Sequence, residues 1–190
     1  MAQVYNRDEF NAKRGVLLRS LKERVFIYPT DTIYGIGCNA LDDALVHRVR
    51  DIKKRHSLPF SVIAPSKEWI RQYCVVDERG EGWLARLPGP YTLIFRLRNG
   101  HPLPDSVNMG LGTVGVRIPD NWFADVVRSL GIPIVTTSAN LTGGDHMITL
   151  DDLHPDVRRN VDLIFFDGEL HGRPSTLVRL DTENVELKER

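Results

Sequence analysis

Short apolar runs alternate along this chain with longer segments in which apolar residues recur at helical spacing. Residues 25–28, 60–64 and 132–137 have the length and composition of buried strands. A helical segment that ends at Gly131 precedes the last of these strands. Strands interleaved with helices in this way predict an α/β domain with a twisted, mixed sheet that is largely covered by helices.

Capping residues and alternation predict the other elements. Asn6 followed by Glu9 is a capping-box pattern, which predicts one helix over residues 7–23. The remaining predicted elements are a helix opened by Asp42 or Asp43, a helix after Ser66, strands at 92–97, 113–118, 163–166 and 176–180, a helix from Asp120 or Asn121 to Leu130, and a last helix near 150–160.

Composition narrows the class of protein. A chain of 190 residues with 42% hydrophobic content is expected to form one domain over residues 1–190. Its 25 basic residues balance 25 acidic ones, so no net charge attracts nucleic acid to the whole surface. Cys38 and Cys74 predict packed thiols in a reducing compartment, and no apolar run reaches the length of a membrane span. We therefore expect a cytoplasmic protein without membrane contact.

The segment 28–37, with the sequence YPTDTIYGIG, follows directly on the first predicted strand. Its proline fixes one backbone angle, its two glycines permit close backbone approach, and its hydroxyls supply donors and acceptors. Such a segment at a strand end is typical of a site for a polar small molecule. An ordinary strand-to-helix turn is the alternative for the segment taken alone.

Basic residues at the end of the second helix are candidate anion ligands. The side of this helix opposite its apolar stripe carries Arg48, Arg50 and Lys53. Lys53 and Arg55 lie two positions apart, so both can reach a ligand beyond the helix end, where arginine suits bidentate phosphate contact. By itself, the cluster favours a solvated helix end that complements the helix dipole.

Two further groups of polar residues lie on predicted strands. Arg117 shares its sheet face with Gly115, which leaves the arginine room to reach a ligand, and an outward-facing arginine is the alternative. Thr136, Ser138 and Asn140 end a buried strand. There they can contact a ligand, cap a helix or close an Asx turn.

Five segments in this order resemble the YrdC/Sua5 family, the threonylcarbamoyl-AMP synthases that begin the synthesis of threonylcarbamoyladenosine (t6A) in tRNA. They are YPTDTIYGIG at 28–37, KKR at 53–55, PGPYTL at 88–93, TVGVRIP at 113–119 and TSANLTG at 137–143. The resemblance spans about residues 25–178. It implies a YrdC-like mixed sheet with flanking helices and a central concave ligand pocket.

The resemblance also implies an activity. Members condense L-threonine, bicarbonate and ATP to threonylcarbamoyl-AMP and pyrophosphate, with Mg²⁺ accompanying ATP and with no bound organic cofactor or resident metal. Implied partners are the proteins that transfer the threonylcarbamoyl group to tRNA, and tRNA itself is expected to bind weakly. The implied catalytic residues are Lys53, Arg55 and Arg117. The implied substrate and ATP contacts add Thr30, Thr32, Thr113, Thr136, Ser138 and Asn140.

The chain departs from the family pattern at two positions near Pro59. Where many members carry a Lys or Asn before the proline and some a His after it, this chain has Leu58 and Ala64. Its short C-terminus is expected to leave no room for the extra domain of longer members. These departures leave open a paralogue that acts on another carbamoyl or acyl adenylate. A second alternative is an RNA-binding or ribosome-associated module that uses the basic concavity to bind the phosphate backbone.

Overall fold

The structure is a computed structural model that describes residues 2–189. Its strands are β1 Gln3–Tyr5, β2 Phe26–Tyr28, β3 Gly35–Gly37, β4 Ser61–Ile63, β5 Tyr91–Arg96, β6 Thr113–Arg117, β7 Ile134–Ser138, β8 Leu163–Phe165, β9 Thr176–Arg179 and β10 Glu186–Lys188. Its helices are α1 Arg7–Ala12, α2 Arg14–Leu21, α3 Asp43–Lys53, α4 Lys67–Tyr73, α5 Glu78–Leu84, α6 Asp105–Asn108, α7 Trp122–Leu130 and α8 Pro155–Asn160. Over this range, no helix has the length and apolar character needed to cross a membrane.

The strands form one mixed sheet in the order β1-β8-β2-β3-β7-β4-β6-β5-β9-β10. The pairs β1–β8, β2–β8, β4–β6 and β5–β9 are parallel. The pairs β2–β3, β3–β7, β4–β7, β5–β6 and β9–β10 are antiparallel. The α/β fold with a mixed sheet, predicted from the alternation of strands and helices, is confirmed.

Helices cover both faces of the sheet. Successive residues of a strand point to opposite faces, so Ile27 lies in one buried apolar cluster and Phe26 in the other. The helix α3 adds Val49 to the first cluster, and α7 adds Phe123 to the second. Burial on both faces explains why the strand sequences read as continuous apolar runs.

The prediction of one continuous helix over residues 7–23 is wrong, because the structure has two helices there, α1 and α2. The capping box is present, with the Glu9 amide donating to Asn6 Oδ1 at 2.9 Å and the Asn6 amide donating to Glu9 Oε2 at 2.8 Å. The helix stops at Lys13, whose φ of −110° and ψ of 16° lie outside the helical range, and α2 begins at the next residue. Phe10 of α1 and Leu17 of α2 both lie in the core.

The last predicted helix is shorter than residues 150–160. It begins at Pro155, whose fixed φ suits the first helical turn. Before it, the Asp152 carboxylate accepts hydrogen bonds from the Ile148 and Thr149 amides, which holds that segment in a turn. The strands β1, β3 and β10 were not predicted because their sequences are too short or too polar to show alternation.

Small and polar residues meet in a row across the middle of the sheet. Gly35 on β3 pairs with Ser138 on β7. Ser61 on β4 pairs with Thr136 on one side and with Gly115 on the other. These strands are neighbours in space but distant in sequence, so only the folded sheet assembles the row.

Candidate functional site

The row of small and polar residues opens into a cavity of about 250 Å³. Its wall combines two arginines and several hydroxyls with a smaller number of apolar side chains. The lining residues are Thr30, Ile33, Tyr34, Gly35, Arg55, Pro59, Phe60, Ser61, Thr92, Arg117, Thr136, Thr137, Ser138, Pro174 and Ser175. Such a composition suits a polar, anionic ligand.

Arg117 reaches the cavity from the end of β6 and is only 5% exposed. Its Nη2 donates to Asp31 Oδ1 at 2.5 Å, and both terminal nitrogens lie 3.3–3.4 Å from Thr32 Oγ1. The other Asp31 oxygen accepts from the Asp120 amide at 3.0 Å. Burial lowers the pKa of Arg117, and the Asp31 carboxylate opposes that change.

The Nε–H of Arg117 is buried and meets no acceptor within the described part of the chain. A buried donor without an acceptor carries a desolvation cost. Arg117 therefore lines the cavity at a cost in desolvation.

Thr30 shapes the turn that carries Asp31. Its hydroxyl accepts from the Thr32 and Ile33 amides at 3.1 and 3.2 Å and lies 2.7 Å from the Ile33 carbonyl. Thr30 lines the cavity, whereas Thr32 lies behind it with its hydroxyl against Arg117. The two threonines therefore differ in position, although both were expected to contact substrate.

Lys53 lies at the end of α3 and is 1% exposed, which excludes the alternative of a solvated helix end at this residue. Its ammonium donates to the Ser138 and Asn140 carbonyls at 2.5 and 2.7 Å and to Asn140 Oδ1 at 3.0 Å. In return, the Lys53 carbonyl accepts from the Thr142 amide and hydroxyl. Lys53 thus binds the loop 138–142 through both its side chain and its backbone carbonyl. It is not among the residues that line the cavity.

The buried position of Lys53 changes its acidity. Desolvation, followed by repulsion from Arg55, lowers the pKa of Lys53 to about 7. The three acceptors around the ammonium oppose this change because they favour the charged form. Near pH 7, the Lys53 ammonium that makes these three hydrogen bonds is therefore close to losing its proton.

Arg55 reaches the cavity from the loop between α3 and β4. Its Nη2 donates to the Pro59 carbonyl at 2.8 Å, and its Nη1 lies 3.3 Å from Thr137 Oγ1. Its guanidinium also lies over the Phe60 ring, 5.3 Å from the centroid. Arg55 and Arg117 thus place two cationic groups on one small cavity.

The remaining expected site residues separate into two groups. Thr136 and Ser138 line the cavity, and the Ser138 hydroxyl donates to Asn140 Oδ1 at 2.6 Å. Asn140 lies behind Ser138, against Lys53. Thr113 lies at the start of β6, opposite Arg96, and its carbonyl accepts from Asn108. It is not brought to the cavity.

Several cavity residues were missed by the sequence reasoning. The Thr92 and Ser175 hydroxyls lie 2.7 Å apart and both residues are 1% exposed. Thr92 lies inside the family-like segment 88–93, and the signal for Ser175 is its position in a polar stretch directly before β9. Gly115 makes room for this corner, because a Cβ there would overlap Ser61 Oγ and press on Thr92.

Residues 167–175, here called the C-terminal strap, close one side of the cavity. The Tyr34 hydroxyl donates to the Gly168 carbonyl at 2.5 Å and accepts from the Asp167 amide at 3.0 Å. At Gly172 the strap lies so close to the Thr32 carbonyl oxygen that a Cβ would overlap it. The strap then delivers Pro174 and Ser175 to the cavity wall.

Comparisons with known proteins agree with this architecture. The Sua5/YciO/YrdC family model, described as telomere recombination, matches residues 20–189. A Methanocaldococcus jannaschii protein named provisionally as a threonylcarbamoyl-AMP synthase is 32% identical over 192 residues, which cover 96% of this chain and 88% of that protein. The threonylcarbamoyl-AMP synthase of Stenotrophomonas maltophilia is 34% identical over 154 residues, which cover 78% of this chain and 81% of that protein.

A solved structure shares the fold. The crystal structure of P. abyssi Sua5 complexed with L-threonine matches with a TM-score of 0.87 and 27% sequence identity. The match covers 98% of this chain and 56% of that chain, so this chain spans just over half the length of the Sua5 protein. The similarity therefore extends over nearly all of the sheet that forms the cavity.

Proposed function

The chain belongs to the Sua5/YciO/YrdC family, and from that premise we propose that it is a threonylcarbamoyl-AMP synthase. The reaction condenses L-threonine, bicarbonate and ATP to threonylcarbamoyl-AMP and pyrophosphate, and its product supplies t6A modification of tRNA. One observation supports the assignment most directly. Two arginines and a set of hydroxyls converge on one cavity, which suits a reaction that joins a carboxylate, bicarbonate and a triphosphate.

The chemistry proceeds in two steps. The threonine amine attacks bicarbonate and water is lost, which gives a carbamate. A carbamate oxygen then attacks the α-phosphorus of ATP, and the bond to the β-phosphate oxygen breaks to release pyrophosphate. Both steps concentrate negative charge, so preorganised cations lower the barrier and no covalent nucleophile is required. Mg²⁺ enters with ATP as part of that substrate.

We assign Arg55 and Arg117 to stabilising the negative charge that builds up in these two steps. Both residues line the cavity, where a guanidinium can stabilise anionic oxygens. Thr136 and Ser138 supply neutral hydrogen bonds that orient the reactants, whereas the Thr30 hydroxyl is bound within its own turn. The L-threonine complex of the related P. abyssi Sua5 supports an amino-acid substrate for this chain.

Lys53 has a different role in this proposal from the one the sequence suggested. Its ammonium already holds three acceptors of the loop 138–142. We therefore assign it to positioning Ser138 and Asn140 rather than to contact with the triphosphate. Thr32 has the corresponding role for Arg117, through the contact with its hydroxyl.

The decisive experiment is identification of the product by mass spectrometry. Purified protein with ATP, Mg²⁺, threonine and bicarbonate should form threonylcarbamoyl-AMP and release pyrophosphate, and omission of threonine or bicarbonate should abolish both. The variant Arg55→Ala should lose roughly 2–4 kcal/mol of transition-state stabilisation in kcat/KM. Arg71→Ala, which removes an exposed arginine paired with Glu81, is the matched control and should keep wild-type activity. Equal pyrophosphate release without threonine would refute the assignment.

Two interactions beyond the cavity complete the proposal. Threonylcarbamoyl-AMP is consumed by proteins that transfer the threonylcarbamoyl group to tRNA, and these are the partners we expect. Weak direct tRNA binding is expected because basic and acidic residues balance. Submicromolar affinity for tRNA at physiological salt, without adenylate formation, would favour an RNA-binding module instead.

A further inference from the structure

Arg50 is a buried cation that the mechanism above does not use. It lies on α3, one turn before Lys53, and is 2% exposed. No carboxylate of the described residues 2–189 pairs with it, and its donors instead contact backbone carbonyls. Burial lowers the pKa of Arg50. Burying a guanidinium is costly, so this arrangement needs a structural or functional reason.

The acceptors of Arg50 belong to two separate segments. Its Nε donates to the Ser106 carbonyl at 2.7 Å, on α6. Its Nη1 donates to the Arg55 and Leu58 carbonyls at 2.9 and 3.0 Å, on the loop between α3 and β4. In addition, the Arg50 carbonyl accepts from the Arg55 amide at 2.9 Å. Arg50 thus holds the backbone of Arg55 from both its amide and its carbonyl.

Arg50 and Arg55 also share one aromatic ring. The Arg50 guanidinium lies 4.4 Å from the Phe60 centroid, and the Arg55 guanidinium lies 5.3 Å from it. The Phe60 amide donates to the Val107 carbonyl, whose oxygen also lies 3.3 Å from Arg50 Nη2. The cavity wall formed by Arg55, Pro59 and Phe60 is therefore fastened to α6 through one fully buried guanidinium.

We infer that Arg50 is a positioning residue for Arg55, which sets the direction in which the Arg55 guanidinium enters the cavity. This inference rests on the proposed function, because it concerns the anionic substrates that Arg55 would contact. The contacts of Arg50 require a planar guanidinium with several N–H donors. One lysine ammonium cannot reach carbonyls on both segments and cover a ring face at the same time.

A double-mutant cycle tests the inference. Arg50→Lys keeps the charge but removes the fork, Arg55→Ala removes the guanidinium that is positioned, and the third variant combines them. If Arg50 acts through Arg55, Arg50→Lys should lower kcat/KM at least tenfold in the wild-type background and less than threefold in the Arg55→Ala background. Equal losses in both backgrounds would overturn the inference and leave Arg50 as a general brace of the fold.

Arg48→Met is the matched control for lost stability. Arg48 lies on the same helix, is partly buried and pairs with Asp162 away from the cavity. This variant should lower the thermal midpoint at unchanged kcat/KM, which separates stability from positioning.

If Arg50→Lys does not fold, Phe60→Leu provides the second test, because it removes the ring that both guanidiniums share. A kcat/KM for Phe60→Leu equal to that of the wild type would also overturn the inference.

The crystal structure of Arg50→Lys separates this inference from the proposed function. Arg55 should lose its contacts with Thr137 and the Pro59 carbonyl, whatever reaction the wild type catalyses. If the wild type forms no threonylcarbamoyl-AMP, the proposed function fails while this structural outcome still decides the positioning role. An unmoved Arg55 guanidinium in that structure would refute it.

Discussion

Replacement of Lys53 by methionine tests whether a buried Lys53 ammonium binds the loop 138–142. The folded protein lowers the pKa of this ammonium from its ordinary value of 10.5 to about 7, chiefly through desolvation. That difference corresponds to about 5 kcal/mol between the two protonation states. In wild-type protein at pH 6, folding must therefore bury a charge that the unfolded chain keeps in water, and Lys53→Met has no such charge.

The sign of the pH dependence follows from proton binding. Between about pH 7 and pH 10.5 the unfolded chain keeps the Lys53 proton while the folded protein has lost it. Stability rises with pH wherever the unfolded state binds more protons. The free energy of unfolding of the wild type, minus that of Lys53→Met, should therefore rise by about 1.4 kcal/mol per pH unit in this window. Below pH 7 the difference should be constant.

Urea unfolding of both proteins at pH 6, 7, 8, 9 and 10, followed by tryptophan fluorescence, measures this difference. Other titrating groups contribute to both proteins and cancel. Val49→Ala, a buried change on the same helix without a titratable group, is the control and should cost roughly 1–3 kcal/mol at every pH. A difference between the wild type and Lys53→Met that stays flat from pH 7 to 10 would show that Lys53 is not buried as described.

Three further outcomes are expected. Gly172→Ala should destabilise the protein by roughly 1–3 kcal/mol in urea unfolding, because its Cβ would overlap the Thr32 carbonyl, whereas Gly82→Ala, with open space on α5, should be neutral or stabilising. Asp31→Asn should cost roughly 3–5 kcal/mol because it leaves the Arg117 charge without its partner, and Asp31→Asn with Arg117→Gln should cost less than the sum of the two single changes; additive losses would contradict the ion pair. Serine should be a poor substrate, weaker than threonine by roughly 1–3 kcal/mol in kcat/KM, and valine should be rejected more strongly because it leaves hydroxyl partners unpaired. Use of valine as efficiently as threonine would favour a different acyl adenylate.

Local sequence signals predicted the parts of the fold that depend on near neighbours. The capping box of Asn6 and Glu9, the cap at Ser66 and the helix end at Gly131 were all confirmed. Each depends on hydrogen bonds or backbone angles within a few residues, so the sequence shows them directly. The period of two in β6 likewise indicated that Arg117 shares a face with Gly115, and Arg117 does reach the cavity.

Tertiary structure decided which polar residues meet. Thr92 and Ser175 are 83 positions apart in sequence, yet the parallel pairing of β5 with β9 brings their hydroxyls into contact. Lys53 and Arg50 read as one polar helix face, but the loop 138–142 and α6 cover them and supply carbonyl acceptors. A sequence shows that a residue can carry charge. It does not show which distant backbone will bury that charge, because burial depends on strand order and loop paths across the whole sheet.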